Sequence, residues 1–133
     1  MNVTVVVCLD DGMGMMWNSR RQSRDRVLIE ELIGSTRETI YVHPYSEPLF
    51  PGCDRLVVTD DPLGECESGI CFIENLPILP HKDKIRKLII YKWNRTYPAD
   101  MHFDLPLDGA RMISKTKFKG SSHDKITKEE YYL

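Results

Sequence analysis

The stretch VTVVVCLDDGMGMMWNSRRQSRDRVLIEELI, residues 3–33, contains the strongest structural signals in the chain. Its first seven residues are almost all apolar and mostly β-branched, which is typical of a strand buried on both faces of a sheet. The run ends at the turn sequence Asp10-Asp11-Gly12. We therefore expect residues 3–9 to form a central strand.

The next segment, residues 12–17, is rich in glycine and methionine. Because these residues are flexible, the segment predicts a loop rather than a strand or a helix. Two interpretations stay open for its large side chains, an apolar lid over a ligand or ordinary core packing. These side chains are Met13, Met15, Met16 and Trp17.

A helix is predicted from Ser23, which supplies a capping side chain, to Gly34, which supplies a stop signal. Asp25 is expected in its first turn. One face of the helix is apolar and should pack against the sheet, and it consists of Leu28, Ile29, Leu32 and Ile33.

The composition is that of an ordinary globular protein of single-domain length. The chain has 133 residues, of which 41% are hydrophobic and 29% are charged. No apolar run approaches the roughly 20 residues of a membrane span, and the first ten residues contain no basic group. We therefore expect one domain in a cytoplasmic protein that does not contact a membrane.

Charge is distributed unevenly along the chain. Residues 20–26 contain four arginines and one aspartate, whereas residues 47–74 contain seven acidic residues and only Arg55 as a basic one. This asymmetry suggests that a ligand of the first region is anionic. The four cysteines lack the paired spacing of a zinc site, so we expect reduced thiols and no metal.

The rest of the chain predicts further strands and few helices. A loop is predicted at residues 60–64, and short helical turns at residues 45–50 and 81–87. Residues 126–132 also satisfy a helix capping box, with Thr127 and Glu130, but a strand is favoured. The strands are expected at residues 38–42, 56–59, 70–73, 88–93, 112–118 and 126–132. The predicted fold is an α/β mixed sheet of about seven strands with one main helix.

Two stretches resemble the dihydrofolate reductase family. The first is the order of strand, glycine and methionine loop, Trp17-Asn18 and a helix that opens with Asp25. The second is a late strand at residues 87–91, followed by residues 99–103, Ala-Asp-Met-His-Phe. The resemblance implies a reduced dihydrofolate reductase-like fold.

The same resemblance implies roles for three residues. Asp25 matches the pterin-binding carboxylate of the family, Trp17 the loop tryptophan near it, and Asp100 the acidic residue that tethers the mobile loop.

This chain departs from the family in the segments that hold the pyrophosphate of the nicotinamide cofactor. No glycine pair stands between Ile73 and Lys87, and the family's glycine-arginine pair is replaced by His43-Pro44. Phosphate binding needs backbone N–H groups at close approach, and proline has none. We therefore expect no cofactor and no NADPH-dependent reductase activity.

The chain also looks like a group of short bacterial proteins that sometimes carry a ribonuclease Z label. Metal-dependent ribonucleases of that name have clustered histidines. The histidines of this chain stand far apart, so the metal chemistry is not transferred; they are His43, His81, His102 and His123.

Asp25 is the candidate catalytic residue, because a carboxylate at a helix start can bind an amidine-like edge or move a proton. The alternative is that it complements the helix dipole. Arg20, Arg21 and Arg24 are candidates for anion binding. The ligand-binding set is completed by Trp17 and Asp100.

Arg26 has a simpler interpretation, because it stands four residues before Glu30 and fits a pair on the helix surface. Residues 121–124, Ser-Ser-His-Asp, have the composition of a catalytic triad, but neighbouring residues point in different directions. We interpret them as a turn.

The favoured function is binding of a small anionic or heteroaromatic ligand, nucleotide-like or pterin-like, in a cleft between the 12–21 loop and the first helix. One alternative is a nucleic-acid-binding or ribonuclease-like protein, with Tyr91, Trp93 and Tyr97 as stacking surfaces. Another is a non-catalytic interaction module. The sequence leaves the oligomeric state and the existence of a reaction open.

Overall fold

The computed structural model describes residues 2–133. Ten strands occur in that part of the chain: β1 (Asn2–Leu9), β2 (Gly14–Trp17), β3 (Arg20–Arg21), β4 (Ile40–Val42), β5 (Leu56–Val58), β6 (Ser68–Phe72), β7 (Ile85–Lys92), β8 (Met101–His102), β9 (Arg111–Phe118) and β10 (Ile126–Tyr132). They form a seven-stranded sheet and a three-stranded sheet.

The main sheet is mixed, in the order β5-β4-β6-β1-β7-β10-β9. Its first five strands are parallel, whereas β10 runs antiparallel to both β7 and β9. β1 lies in the centre, where Val5 pairs with Cys71 on one side and Leu88 on the other. The predicted central strand and the mixed α/β sheet of about seven strands are both confirmed.

Helices are few and short. They are α1 (Arg26–Gly34), α2 (Pro62–Glu65) and two 3-10 helices, Glu47–Leu49 and Leu79–Lys84. α1 packs on one face of the sheet, where Leu28 and Leu32 join a buried cluster with Val6 and Phe72. The opposite face is covered by a second buried cluster that includes Met15 and Met16. None of the described helices has the length and apolarity needed to cross a membrane.

The start of α1 differs from the prediction. Asp25, not Ser23, is the N-cap residue, with φ of −152° and ψ of 122°. Its carboxylate accepts hydrogen bonds from the amides of Val27 and Leu28, at 3.0 and 3.2 Å. Ser23 could not cap α1 because the helix begins at Arg26, three residues later, and the Ser23 hydroxyl contacts another element described below.

The predicted loop at residues 12–17 was wrong in its last four residues, because residues 14–17 form β2. The strand pairs with β3 through a tight turn in which Asn18 and Ser19 have φ of 52° and 61°, as in hairpin turns. Its other edge pairs with β8, which is more than 80 residues away in the chain. Local composition could not predict a strand that is stabilised by such a distant partner.

Two further segments are settled by the structure. The predicted loop at residues 60–64 contains α2, because Asp61 caps the amide of Gly64 and Pro62 occupies the first helical turn. Residues 126–132 are a strand, as favoured, and the capping-box alternative is excluded because β10 pairs on both sides.

Candidate functional site

A small cavity lies where three adjacent parallel strands of the sheet end. Its wall includes Cys8 near the end of β1, Phe72 at the end of β6 and Trp93 just after β7. Ligands of open α/β sheets bind at the carboxyl ends of the strands. The volume is about 10 Å³, which is enough for roughly one water molecule.

A larger cleft of about 410 Å³ adjoins this cavity and shares part of its wall, including Arg24 and Asp25. One side of the cleft is α1, with Ile29 and Ile33, and the other is the segment around Leu49. A wider depression of about 690 Å³ lies at the amino ends of β1 and β6, away from the usual ligand side of a parallel sheet. We therefore treat the 410 Å³ cleft and the 10 Å³ cavity as the candidate site.

Asp25 stands at the junction of the two spaces and joins the start of α1 to the loop before β10. Ser121 donates to Asp25 Oδ1 through its amide at 2.9 Å and its hydroxyl at 3.2 Å. The amide of Ser122 and Nδ1 of His123 lie 2.8 and 2.9 Å from Oδ2. With the two amides of α1, both carboxylate oxygens are therefore engaged by protein donors.

These contacts set the charge of Asp25. Burial alone would favour the neutral acid, but the hydrogen bonds from His123, from Ser122 and Ser121 and from Leu28 lower the pKa of the carboxyl below its usual value. Asp25 is thus a buried carboxylate. Since its oxygens are engaged, it has no free edge for a pterin-like or amidine-like ligand.

His123 extends this contact to a serine. Its side chain is buried, and its ring stacks on Trp93 with 4.5 Å between ring centres. Nδ1 faces Asp25, and Nε2 lies 2.9 Å from the hydroxyl oxygen of Ser23 and 3.3 Å from that of Tyr97. The carboxylate, the imidazole and a serine hydroxyl are therefore connected in one line of hydrogen bonds.

Arg24 and Arg26 provide positive charge at the cleft. Arg26 forms the predicted ion pair with Glu30, with 2.9 Å between Nη1 and Oε2, and both side chains are exposed. Arg24 is exposed and lines both the cleft and the cavity. Within residues 2–133 no carboxylate forms an ion pair with Arg24.

Arg21 lies outside this cleft and has protein partners. Its guanidinium binds Glu74 through two nitrogens, at 2.9 and 3.1 Å, and lies 4.5 Å from the ring centre of Tyr45. Glu74 also accepts a hydrogen bond from Ser46 at 2.7 Å. The structure therefore places Arg21 in an internal ion pair, beside the cavity wall that Glu74 contributes.

The other predicted ligand-binding residues gather at the three-stranded sheet. Trp17 pairs with Arg20 across the β2–β3 turn, and its side chain is 49% exposed. The carboxylate of Asp100 accepts a hydrogen bond from the amide of Asn18 at 3.1 Å. Trp17, Arg20 and Asp100 do not line the cleft that contains Asp25 and Arg24. The expected cleft between the 12–21 loop and α1 therefore lies instead between α1 and residues 48–51.

Asp10 is an organising residue that the sequence analysis missed. Its buried carboxylate accepts hydrogen bonds from the backbone amides of Gly12, Gly14 and Tyr97, at 2.9, 2.7 and 3.0 Å. These bonds lower the pKa of Asp10, although burial opposes the shift. The Asp-Gly turn motif was a signal for the local bonds, but nothing in the sequence indicated Tyr97.

The aromatic residues considered for base stacking lie inside the protein. Tyr91 is fully buried and Trp93 is 3% exposed, and both belong to the core cluster beneath α1. Tyr97 is half-buried against His123. Their rings do not form a stacking surface, so the nucleic-acid alternative loses the feature on which it depended.

The cysteines and histidines of the site region show no metal-binding arrangement. Within the described residues, no group of three or more His, Cys, Asp or Glu side chains is placed to hold a metal ion. Burial, together with the charges of Glu74 and Asp25, raises the pKa of the Cys8 thiol well above its usual value. Cys8 is thus a neutral thiol in the cavity wall.

Comparison with known proteins finds a match in structure but none among family models or curated sequences. No protein-family model matches the chain, and no curated protein matches it in sequence. Solved structures do match, and one is dihydrofolate reductase from Enterococcus faecalis, described in complex with NADP(H) and RAB-propyl. The TM-score is 0.67 at 8% identity, and the match covers 98% of this chain and 95% of that one.

At 8% identity this likeness shows the fold alone. It confirms the predicted dihydrofolate reductase-like fold. The resemblance to proteins labelled ribonuclease Z is supported by none of the comparisons.

Proposed function

We propose that the chain binds a small anionic ligand with an apolar portion in the cleft between α1 and residues 48–51. The observation that carries the proposal is the position of Arg24, an exposed cation without a carboxylate partner among the described residues, on the wall of a 410 Å³ cleft. The volume lies in the range of small-ligand sites.

The walls of the cleft match both ends of such a ligand. Ile29, Ile33 and Leu49 supply an apolar surface, and Pro48 and Pro51 add rigid apolar contacts. A guanidinium group binds carboxylate or phosphate through two parallel hydrogen bonds. The ligand is therefore expected to place its anionic group against Arg24 and an aliphatic or aryl group between the two walls.

A pterin-like ligand is not part of this proposal. The carboxylate that would recognise its ring, Asp25, is occupied by Ser121, Ser122 and His123. The cavity behind it holds about 10 Å³, which is far too small for a bicyclic ring. A ligand that places a carboxylate or phosphate against Arg24 in the 410 Å³ cleft needs neither the Asp25 carboxylate nor the small cavity.

We also propose that the chain does not use a nicotinamide cofactor, because the residues present do not fit its pyrophosphate. The amides of Ile78 and Leu79, at the start of the second 3-10 helix, donate to the carboxylate of Asp104 at 3.0 to 3.2 Å. At the other segment, the amide of Tyr45 donates to Nδ1 of His43. These N–H groups are used internally, and Asp104 would repel a phosphate.

The experiment is thermal unfolding with a panel of ligands. Benzoate, 4-aminobenzoylglutamate, phosphorylated aryl compounds, folate and NADPH are each added at millimolar concentration. A ligand that binds only the native state, at ten times its Kd, stabilises it by about 1.4 kcal/mol and raises the Tm by a few degrees. Aryl anions are expected to do so, and NADPH is not.

Two arginine variants make the test specific. Arg24→Gln should remove the ligand-dependent rise in Tm, whereas Arg20→Gln, on β3 outside the cleft, should leave it unchanged. Equal responses of the two variants, or no response of the parent to any anion, would contradict the proposed site. A clear shift with NADPH would overturn the statement on the cofactor.

A further inference from the structure

Ser23, His123 and Asp25 have the mutual geometry of a serine nucleophile, its general base and the carboxylate that orients the base. The hydroxyl oxygen of Ser23 lies 2.9 Å from Nε2 of His123, and Nδ1 of the same ring lies 2.9 Å from Oδ2 of Asp25. A triad is recognised by this geometry and not by order in the chain. We propose that these residues form a nucleophilic triad that hydrolyses small acetyl esters.

The buried carboxylate determines which imidazole nitrogen carries the proton. Asp25 is ionised and accepts at Oδ2, so Nδ1 of His123 is the donor toward it. In the tautomer with the proton on Nδ1, Nε2 is the acceptor, and the Ser23 hydroxyl donates to it. Asp25 is thus a positioning residue, while Ser23 and His123 are the groups that act on substrate.

The environment holds the imidazole rigidly and leaves the serine partly exposed. The ring of His123 is stacked on Trp93 and has a 3% exposed side chain, whereas Ser23 is half-buried. The neighbouring thiol, Cys8, is not a competing nucleophile because its pKa is raised by burial. A positioned base within hydrogen-bond distance of a serine hydroxyl is what activation of the serine requires.

The two spaces at the site indicate the substrate. Ser23 lines the 10 Å³ cavity, which admits only a group about as large as a methyl, so the acyl part is limited to acetyl or a similar group. Arg24, the next residue, also lines the 410 Å³ cleft. The leaving alcohol would occupy that cleft and carry a negative charge, and this part of the inference rests on the proposed ligand site.

The reaction is balanced with water as the only co-reactant. The Ser23 oxygen attacks the ester carbonyl carbon while its proton moves to Nε2 of His123. The bond from this carbon to the leaving oxygen then breaks, and that oxygen takes the proton from Nε2. Water next attacks the acetyl-serine and gives one proton to Nε2. The bond to the Ser23 oxygen then breaks, this oxygen takes the proton from Nε2, and acetic acid leaves and loses its own proton to solvent.

The hydroxyl of Tyr97 also lies 3.3 Å from Nε2, so it would have to turn away from the imidazole to donate to the tetrahedral oxygen. The amides at the start of α1 cannot serve, because those of Val27 and Leu28 bind Asp25 and that of Arg26 binds the Ser121 hydroxyl.

The experiment begins with p-nitrophenyl acetate, a neutral acetyl ester. The full chain is mixed with the ester, and p-nitrophenol release and acetylated peptides are measured. We expect acetylation of Ser23 and turnover above the uncatalysed rate. Ser23→Ala should reduce turnover to the uncatalysed rate, whereas Ser68→Ala, an exposed serine on β6, should leave it unchanged.

A chemical trap tests the base without relying on ester turnover. Ser23→Cys places a thiol beside His123, and its alkylation by iodoacetamide should be at least tenfold faster at pH 6 than that of the native cysteines. Asp25→Asn should change the pH profile of Ser23 acetylation. Loss of packing alone would lower the rate of acetylation without changing the shape of this profile. Circular dichroism confirms that each variant is folded at the assay temperature.

The charge preference is tested with 4-acetoxybenzoate and its neutral amide, 4-acetoxybenzamide. The parent should cleave the benzoate faster, and Arg24→Gln should remove the difference. Acetylation of Ser23 without this difference would overturn the anionic substrate class but not the triad, and the thermal-shift test of the cleft would decide the ligand site separately. Turnover that persists in Ser23→Ala, acetylation elsewhere, or an unreactive Ser23→Cys thiol would overturn the triad even if anions still bind.

Discussion

Nδ1 of His123 lies 2.9 Å from Oδ2 of Asp25, although 98 positions separate the two residues in the chain. This contact connects the loop before β10 to the start of α1. The same carboxylate caps the helix and binds the amides of Ser121 and Ser122. A single buried carboxylate therefore stabilises a helix end, orders a distant loop and orients an imidazole.

Asp25→Asn is expected to lower the free energy of unfolding by about 2–4 kcal/mol. The variant loses a charged N-cap and charge-assisted hydrogen bonds, and its amide nitrogen faces backbone donors. Urea unfolding measures the change. Asp124→Asn, at an exposed position in the same loop, is the matched control and should change stability by less than about 0.5 kcal/mol. Equal stability of the two variants would show that the Asp25 contacts contribute little.

Asp25 also predicts how stability depends on pH. Its pKa is lowered in the folded state, so its contribution is complete above the unfolded value of about 3.9 and is lost as pH falls toward the folded value. Unfolding free energies measured from pH 5 to pH 2 should therefore fall more steeply for the parent than for Asp25→Asn. Asp10, whose pKa is also lowered, remains in both proteins and contributes a common slope. Parallel curves would contradict this assignment.

Gly120→Ala is expected to disturb the same contact through packing. A Cβ atom at this position would lie 2.2 Å from Oδ2 of Asp25, so either the loop or the carboxylate must move. The expected loss is about 1–3 kcal/mol, measured by urea unfolding.

Gly34→Ala is the matched control for this substitution. Nothing lies within 4 Å of the added Cβ, and Gly34 is in the last turn of α1. The change should therefore stabilise the protein by about 0.4–1 kcal/mol. A neutral Gly120→Ala would mean that the loop accommodates the methyl group without losing the Asp25 bonds.

The Arg21–Glu74 and Arg26–Glu30 pairs are expected to differ in their effect on stability. Glu74→Gln leaves the guanidinium of Arg21 partly buried without its countercharge, so we expect a loss of about 1–3 kcal/mol. Glu30→Gln breaks the exposed pair with Arg26 and should cost at most about 0.5 kcal/mol. The free energies of unfolding of the parent and the two variants are measured with urea in low and high salt. Salt should reduce the effect of Glu30→Gln only, because it screens the exposed pair. A similar loss for the two variants would contradict this distinction.

The framework of the fold followed from the sequence because its signals are local. The apolar, β-branched residues of β1 predicted a strand buried on both faces, and Leu28, Ile29 and Leu32 predicted the packed face of α1. The sequence also predicted the exposed pair of Arg26 and Glu30, since residues four apart on a helix are neighbours.

Pairings between distant segments could not be predicted from the sequence. β2 was missed because it pairs with β8, far along the chain. Arg21 had no sequence neighbour to suggest Glu74, which lies 53 positions away.

The composition and periodicity of the chain determined the buried central strand, the main helix and the positive charge near the start of this helix. Each of these features depends on residues that are only a few positions apart. Only the tertiary structure decided that Asp25 faces His123 and that His123 faces Ser23. Hydrogen bonds between side chains depend on distance in space, and sheet pairing brings residues together that the sequence keeps far apart. The candidate chemistry therefore comes from the fold, although every group that performs it was visible in the sequence.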